Sequence, residues 1–438
     1  MTDSTPRKTS YFMSEEAAKR IRKRYAAEKR FRLYGLGMIS IGLGFLAILF
    51  YTIVSVGIGG FSNTQFRVSV PLDAAELGLE EGVTPEAIGE LSGFKLTRIA
   101  RGALYKQLGV DESDRAAKQR ADGMLSNGVD VQVRNVLLDD PSLVGSTVDM
   151  WLLAHGAVDP FMKGQISRDL PEDRRLMNDQ QLAWLDQLKE QGRAELRFNS
   201  SLFTNGASAD PELAGVAVGL IGSFFMMVLV VVVALPIGVG AAIYLEEFAP
   251  KNRFTDLIEV NINNLAAVPS IVFGILGLAI FINMLGMPRS APIVGGLVLS
   301  LMTLPTVIIA TRAALRAVPP SIKQAALGVG ASKMQAIFHH TLPLAMPGIL
   351  TGLIIGLAHA LGETAPLIMI GMVAAVFDLP GSPLDPATAL PVQIYMWAGL
   401  PERGFVALTS AAIMVLLAFL LTMNASAIIL RKRFERRW

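Results

Sequence analysis

Six apolar stretches separated by polar ones constrain this chain more than any other feature: 33–56, 213–245, 257–282, 293–311, 349–376 and 405–430. The first, Leu33–Val56, carries no charged residue. As a helix it is long enough to cross the ~30 Å hydrocarbon core of a bilayer. With 52% hydrophobic and only 17% charged residues, the chain is too apolar for an ordinary soluble protein. The expected fold is an all-α polytopic membrane protein with six transmembrane helices. A small α+β domain, 61–212, falls between the first and second of them.

The charges set a topology. Residues 1–32 are basic, with Arg7, Lys8, Lys19, Arg20, Arg22, Lys23, Arg24, Lys29, Arg30 and Arg32. A nucleic-acid arm is one reading of such a run. Positive charge held on the cytoplasmic side of a first span is the reading adopted, with no nucleic-acid partner. No A-x-A site follows the first span, so it is read as a retained anchor rather than a signal peptide. Six spans return the C-terminus to the N-terminal side, and the tail 431–438, RKRFERRW, is again basic. Lys251, Arg253, Arg312, Arg316, Lys323 and Lys333 fall on that same side, whereas the two short loops opposite carry only Arg289 and Arg403. The chain is therefore expected in a bacterial inner membrane in contact with lipid, both termini cytoplasmic, with 61–212 in the periplasm. Frequent Gly and Ala in the last five spans suit close helix packing.

Several chemistries are not expected. The chain has no cysteine and only four histidines, none at HxxxH or HExxH spacing. Disulfides and thiolate sites are excluded, and no zinc site is expected. No GxxxxGK[ST] occurs, so this chain does not itself hydrolyse ATP. No catalytic constellation and no cofactor are expected. Within 61–212, Gln65–Leu72 alternates like a strand with Phe66, Val68 and Val70 on one face. Thr84-Pro85 looks like a helix start. An amphipathic run passes through Met150–Leu153, Gln180–Gln191 reads as a helix, and Ala194–Phe198 alternates again. Asp139 and Asp140 are read as a solvated turn before Pro141.

Residues 319–343 are too polar to span. Pro319-Pro320 ends the preceding helix, Ser321 is placed to cap a new one, and Gly330 suits a turn. A second helical turn, Ser332–Phe338, is expected to expose Met334, Ile337 and Phe338. Leu342-Pro343 then re-enters the membrane. Two short helices bent at a glycine make a shape that fits a partner's groove; a plain surface loop is the alternative.

Glu363 lies in the fifth apolar stretch. An ionised carboxylate at the bilayer centre costs about 2.5–3.5 kcal/mol, so such a residue normally pairs, faces the bundle interior or lines a solvated path. His359 is one turn earlier on the same helix face. Gly362 permits close approach, Thr364 adds a hydroxyl, and Pro366 breaks the helix just beyond. Pro269 offers a second break, beside Ser270 and close to Asn264. The two readings are a polar site on a transport path and a structural hydrogen bond between helices.

A family resemblance attaches to these residues. Gln324–Gly330, QAALGVG, followed by nine residues and then His340-Thr341-Leu342-Pro343, resembles the EAA loop of ABC importer permeases, with Gln324 in place of Glu and His340 where Ile is frequent. Ala358–Leu367 (AHALGETAPL), Asn264–Leu278 (NLAAVPSIVFGILGL), Ile243–Ala249 (IYLEEFA) and Leu390–Ala398 (LPVQIYMWA) resemble, in order, four segments of PstA-type permeases of phosphate ABC importers. His359 stands where that family usually has arginine. The resemblance covers roughly 213–430. It implies a cytoplasmic ABC ATPase docked through Gln324, Ala325, Ala326, Gly330, Met334, Ile337, Leu342 and Pro343. It also implies a second, PstC-type permease in a heterodimer and a periplasmic phosphate-binding protein. The implied substrate path is lined by Glu363, His359, Thr364, Ser270 and Asn264. Two alternatives stay open: a permease for sulfate or molybdate, and, because 61–212 is not part of the common permease core, a membrane-anchored sensor or scaffold.

Overall fold

A computed structural model of the chain describes residues 15–79, 83–111 and 113–434. It divides into two compact units, 1–55 and 56–438. The described part of the first unit is helix α1, Glu15–Gly57, apart from that helix's last two residues. Its apolar part is exposed almost all round, the pattern of a helix whose solvent is lipid rather than protein.

The second unit begins with the α+β domain. Strand β1 (Ser62–Pro71) is the centre of a three-stranded antiparallel sheet, flanked by β2 (Thr147–Leu153) and β3 (Ala194–Phe198). Val68 pairs with Met150 and Phe66 with both Leu152 and Ala194. The period of two seen in the sequence puts Phe66, Val68 and Val70 on one face, all fully buried. Helices α2 (Gly93–Leu108), α3 (Val129–Asp139) and α4 (Asp179–Glu190) contribute Leu96, Leu104, Val133, Leu137 and Leu185 to the same core. The helix start at Thr84 is a true cap, its Oγ1 accepting from the Ala87 amide. Asn178 and Gln181 form a capping box at α4. The run through Met150–Leu153 is a strand.

The α-helices after residue 216 are mostly apolar. They are α5 (Ala217–Ile243), α6 (Arg253–Leu265), α7 (Ser270–Gly277), α8 (Pro292–Ala317), α9 (Pro320–Gly328), α10 (Lys333–Ala336), α11 (Leu342–Gly362), α12 (Ala365–Met369), α13 (Leu390–Ala398) and α14 (Gly404–Phe434). Among the described residues, five helices are long and apolar enough to cross a membrane; α6 with the helical stretch Ser270–Met284, bent by 101°, brings the number to six when the pair is counted as one span. Two expected spans are therefore broken. The stretch 257–282 turns sharply between Leu265 and Ser270, because Pro269 is held extended (ψ 135°) ahead of the next helix. The stretch 349–376 is not one helix: α11 ends at Gly362, and Glu363 is extended (ψ 127°). Pro366 has no amide hydrogen to return to residue 362, so the helix stops there. Glu363 thus lies at a break rather than inside a helix.

Close approach fixes the bundle. A Cβ on Gly348 or Gly352 would come within 2.7 or 2.2 Å of the Ala314 or Ala310 Cβ, so α8 and α11 meet at small residues on both sides. A Cβ on Gly274 would lie 2.7 Å from Pro366 Cα, and one on Gly277 2.2 Å from Val298, which seats α7 between α12 and α8.

A polar seam joins the α+β domain to this bundle. The Lys163 ammonium donates to the carbonyls of Gly59 and Ser62, each at 2.7 Å, and pairs with Asp159. Glu212, at the head of the segment leading into α5, is only 7% exposed, and neither of its carboxylate oxygens has a hydrogen-bond partner. Burial pushes its pKa up; its own amide, His155 and Ser126, close by but outside hydrogen-bonding geometry, pull it down by less, and Asp210 adds a like charge. A carboxyl whose folded pKa is raised contributes stability that is complete below its unfolded pKa of about 4.3 and is lost as pH rises through the folded value. Glu212→Gln is therefore expected to leave the thermal midpoint unchanged at pH 4 and to raise stability at pH 8 by about 1–3 kcal/mol, the cost of a buried unsatisfied group. Parallel pH profiles for the two proteins would contradict this.

Candidate functional site

The break after α11 brings two predicted residues into contact. His359 Nε2 lies 3.3 Å from Glu363 Oε1. The helical repeat puts residues four apart on one face, and the extended backbone at Glu363 leaves its carboxylate free to turn back. Glu363 is largely enclosed, with 21% of its side chain exposed, whereas the His359 side chain is 65% exposed. Ile355, one turn before His359, is exposed on the same side, as is Gly362. Nothing lies within 4 Å of where a Gly362 Cβ would be, so its expected role in close packing is not seen.

Thr364 opens α12 and its hydroxyl caps nothing. Ser270 opens α7. Since Gly274 meets Pro366 and Gly277 meets Ile370, α7 and α12 run in the same direction. Ser270 and Thr364 thus begin two short helices at the same end of that pair, beside the broken end of α11. Both side chains are half-buried. Asn264 is exposed near the end of α6, before the bend. The structure brings Glu363 and His359 into contact, sets Thr364 beside them and Ser270 at the same level; it shows no contact from Asn264.

The second predicted region, 319–343, is two short helices, α9 and α10, turned at Gly330, whose φ is +90°. That left-handed backbone explains the glycine. Ser321 does not cap α9: Pro319 occupies the cap position and Pro320 the first turn, a place where the missing amide costs nothing. Ser332 caps α10 in a capping box with Gln335. Gln324, Ala325, Gly330, Met334 and Phe338 are exposed, and Val329 stands out furthest. Ala326 and Ile337 are buried, contrary to the expectation of an exposed Ile337. Ile337 packs with Ile243, Leu315, Ala345 and Ile349 and so anchors the segment to the bundle. Leu342 and Pro343 are half-buried where the chain rejoins the bundle. From Lys333 to Gly362 the chain is one continuous helical run of 30 residues, with a wider turn at Ile337–Thr341. At ~1.5 Å per residue it spans about 45 Å between the bent segment and Glu363.

An ion-pair clasp ties this segment to its neighbours. Arg312, near the end of α8, reaches Glu246 at 3.4 Å and Glu259 of α6 at 2.5 Å. Arg316 pairs with Glu246 at 2.9 Å, Lys323 of α9 pairs with Glu247, and Lys333 of α10 lies 4.8 Å from the centre of the Phe248 ring. The acids and Phe248 all belong to the IYLEEFA stretch that closes α5 and to α6. In the sequence these cations served only in the count of charges across the membrane. The signal that could have found the clasp is the four-residue spacing of Arg312 and Arg316, which puts both on one helix face, opposite an adjacent pair of acids.

Comparison with known proteins places the chain in a family. Residues 234–438 match the family model of the binding-protein-dependent transport system inner membrane component, and residues 18–172 match a domain of unknown function, DUF3333. YqgI of Bacillus subtilis (strain 168), described as a probable ABC transporter permease protein, is 34% identical over 178 residues, 40% of this chain; the chain spans only 59% of that relative's length. The phosphate transport system permease protein PstA of Haemophilus influenzae is 31% identical over 223 residues, 51% of this chain and 78% of that protein. A structure of the MetNI methionine ABC transporter in an inward-facing conformation aligns at 17% identity with a TM-score of 0.40, covering 51% of this chain and 95% of that one.

Proposed function

We propose a function from one premise: the chain belongs to the family of binding-protein-dependent transport system inner membrane components, the permeases of ABC importers, and carries an additional N-terminal domain. The function is import of inorganic phosphate, with this chain as one of the two permease subunits that enclose the path. The His359–Glu363 contact carries the reading. It sits at the broken end of an apolar helix, with the imidazole largely uncovered. An ionisable pair on such a helix is too costly to face lipid, so that side of α11 faces a solvated path or the second permease. Phosphate at neutral pH still carries a proton. A carboxylate accepts a hydrogen bond from such an oxyanion and repels one without protons, such as sulfate. Glu363 and His359, with Thr364 and Ser270 beside them, form the polar lining; Asn264 is the outermost member of the set.

The exposed residues of 319–343, Gln324, Ala325, Gly330 and Met334 with Val329 and Phe338, are the surface for a separate ATPase chain. Ala326, Ile337, Leu342 and Pro343 hold that surface in place. Movement there passes along the continuous run from Lys333 to the break at Glu363, and through the clasp to α5 and α6. In this reading both termini and the bent segment face the cytoplasm, and residues 61–212 face the periplasm, where a phosphate-binding protein delivers substrate. The partner is a PstC-type permease. The test is uptake of labelled phosphate by the assembled importer in vesicles with excess unlabelled sulfate. Phosphate uptake should persist undiminished; competition by sulfate equal to that by unlabelled phosphate overturns the assignment.

A further inference from the structure

The sheet of the α+β domain leaves part of its apolar face uncovered. Register puts Leu196 opposite Thr64 and Phe198 opposite Ser62, on the same face as the fully buried Phe66 and Val68. Yet Leu196 and Phe198 are exposed, Phe198 to 65%, because helices α2 to α4 cover the other end of the sheet. The uncovered end is the one at which β1 begins, one residue after Phe61, and Phe61 is the last residue of the first apolar span. Phe203, in the single helical turn Ser201–Thr204, stacks on both Phe61 and Phe198, with ring centres 6.1 and 6.0 Å apart and planes 20° and 8° from parallel. The row therefore stands where the chain passes from the first apolar span into the domain.

We propose that the Phe61–Phe203–Phe198 row, with Leu196, is a lipid-contact surface that seats the α+β domain on the headgroup level of the bilayer. Phe and Leu on the apolar face of an element lying at the membrane surface are buried about 5–10 Å into the headgroup and acyl boundary, at the level where Trp and Tyr also collect. Continuity with the end of a span favours lipid over a protein partner. The rings are stacked on one another and β3 is hydrogen-bonded into the sheet, so contact needs little ordering. The inference rests on the chain crossing a membrane and not on what it transports.

The chain's lack of cysteine makes the test direct. Phe198→Cys carries a nitroxide label on the full chain in phosphatidylcholine vesicles, and its collisions with oxygen and with a water-soluble nickel chelate are compared. Val232→Cys, exposed on α5, serves as the lipid reference and Phe94→Cys, exposed on α2, as the water reference. The label at 198 should be more accessible to oxygen than to nickel and lie between the references. Access to nickel equal to that at 94 overturns the proposal, and so does shielding from both reagents, which indicates a protein partner. An oxygen-dominated signal at 232 establishes insertion independently, so a failure at 198 is not a failure of the membrane reading.

Discussion

Replacing Arg312 by alanine is expected to destabilise the chain by about 3 kcal/mol, the low end of the range for breaking a buried ion pair, because its partners keep partial access to water. The guanidinium is only 11% exposed and is shared by Glu246 and Glu259. Without it, two carboxylates from different helices face each other at the end of the bundle with no cation between them. Glu246 would keep Arg316, but that side chain is 59% exposed, and Glu259 would keep only the more distant charge of the same Arg316. Arg316→Ala should accordingly cost less than ~1 kcal/mol, as exposed pairs do. Arg312→Lys should fall between the two, since an ammonium is a point charge and cannot bridge two carboxylates as a planar guanidinium does. Denaturant unfolding of the purified chain in detergent measures all three. A loss for Arg312→Ala no larger than that for Arg316→Ala contradicts the clasp. Because the clasp joins α5, α6, α8 and α9, the same substitution should also lower transport more than folded yield.

How much of this was legible in the sequence depended on the range of the interaction. The six apolar stretches correspond to five long apolar helices and one bent pair, since length and scarcity of charge decide membrane crossing locally. Strand β1, the cap at Thr84 and the turn at Gly330 are local features too, and the residues themselves announce them. A contact between residues four apart, one on the last turn of a helix and the other just past its end, was likewise within reach, as His359 and Glu363 show. Three things were not legible. The prolines announced breaks near Pro269 and Pro366, but neither the 101° turn at the first nor the end of α11 at Gly362, ahead of Glu363, could be read from them. The burial of Ile337 depends on Ile243 and Leu315, far away in the chain, and helical spacing could not say which face would be covered. The clasp pairs residues 53 to 76 positions apart, and each charge alone has an adequate explanation as a solvated loop residue.

Glu363→Gln is the other substitution from which a large effect is expected. The amide has nearly the carboxylate's size, so the break, the packing of α7 on α12 and the clasp should survive it. What changes is the charge that holds His359 and that, in the proposed function, accepts a proton-bearing oxyanion. A charged hydrogen bond is worth about 1.5–3 kcal/mol. If that interaction is made as phosphate passes, the rate should fall by about 10–100-fold, at ~1.4 kcal/mol per decade. His359→Ala removes the partner but leaves the carboxylate, and should reduce uptake less. The alternative role, a hydrogen bond that only locks the bundle, predicts lost assembly instead of slower transport, because the pair would then be a structural one.

The account is therefore tested most directly by ATP-driven uptake of labelled phosphate into vesicles holding equal amounts of assembled importer, with Glu363→Gln and the unaltered chain side by side. It predicts normal assembly, ATP hydrolysis that still responds to the binding protein, and phosphate uptake reduced at least about tenfold by loss of the charged contact. Uptake at the unaltered rate by a fully assembled Glu363→Gln importer would contradict it.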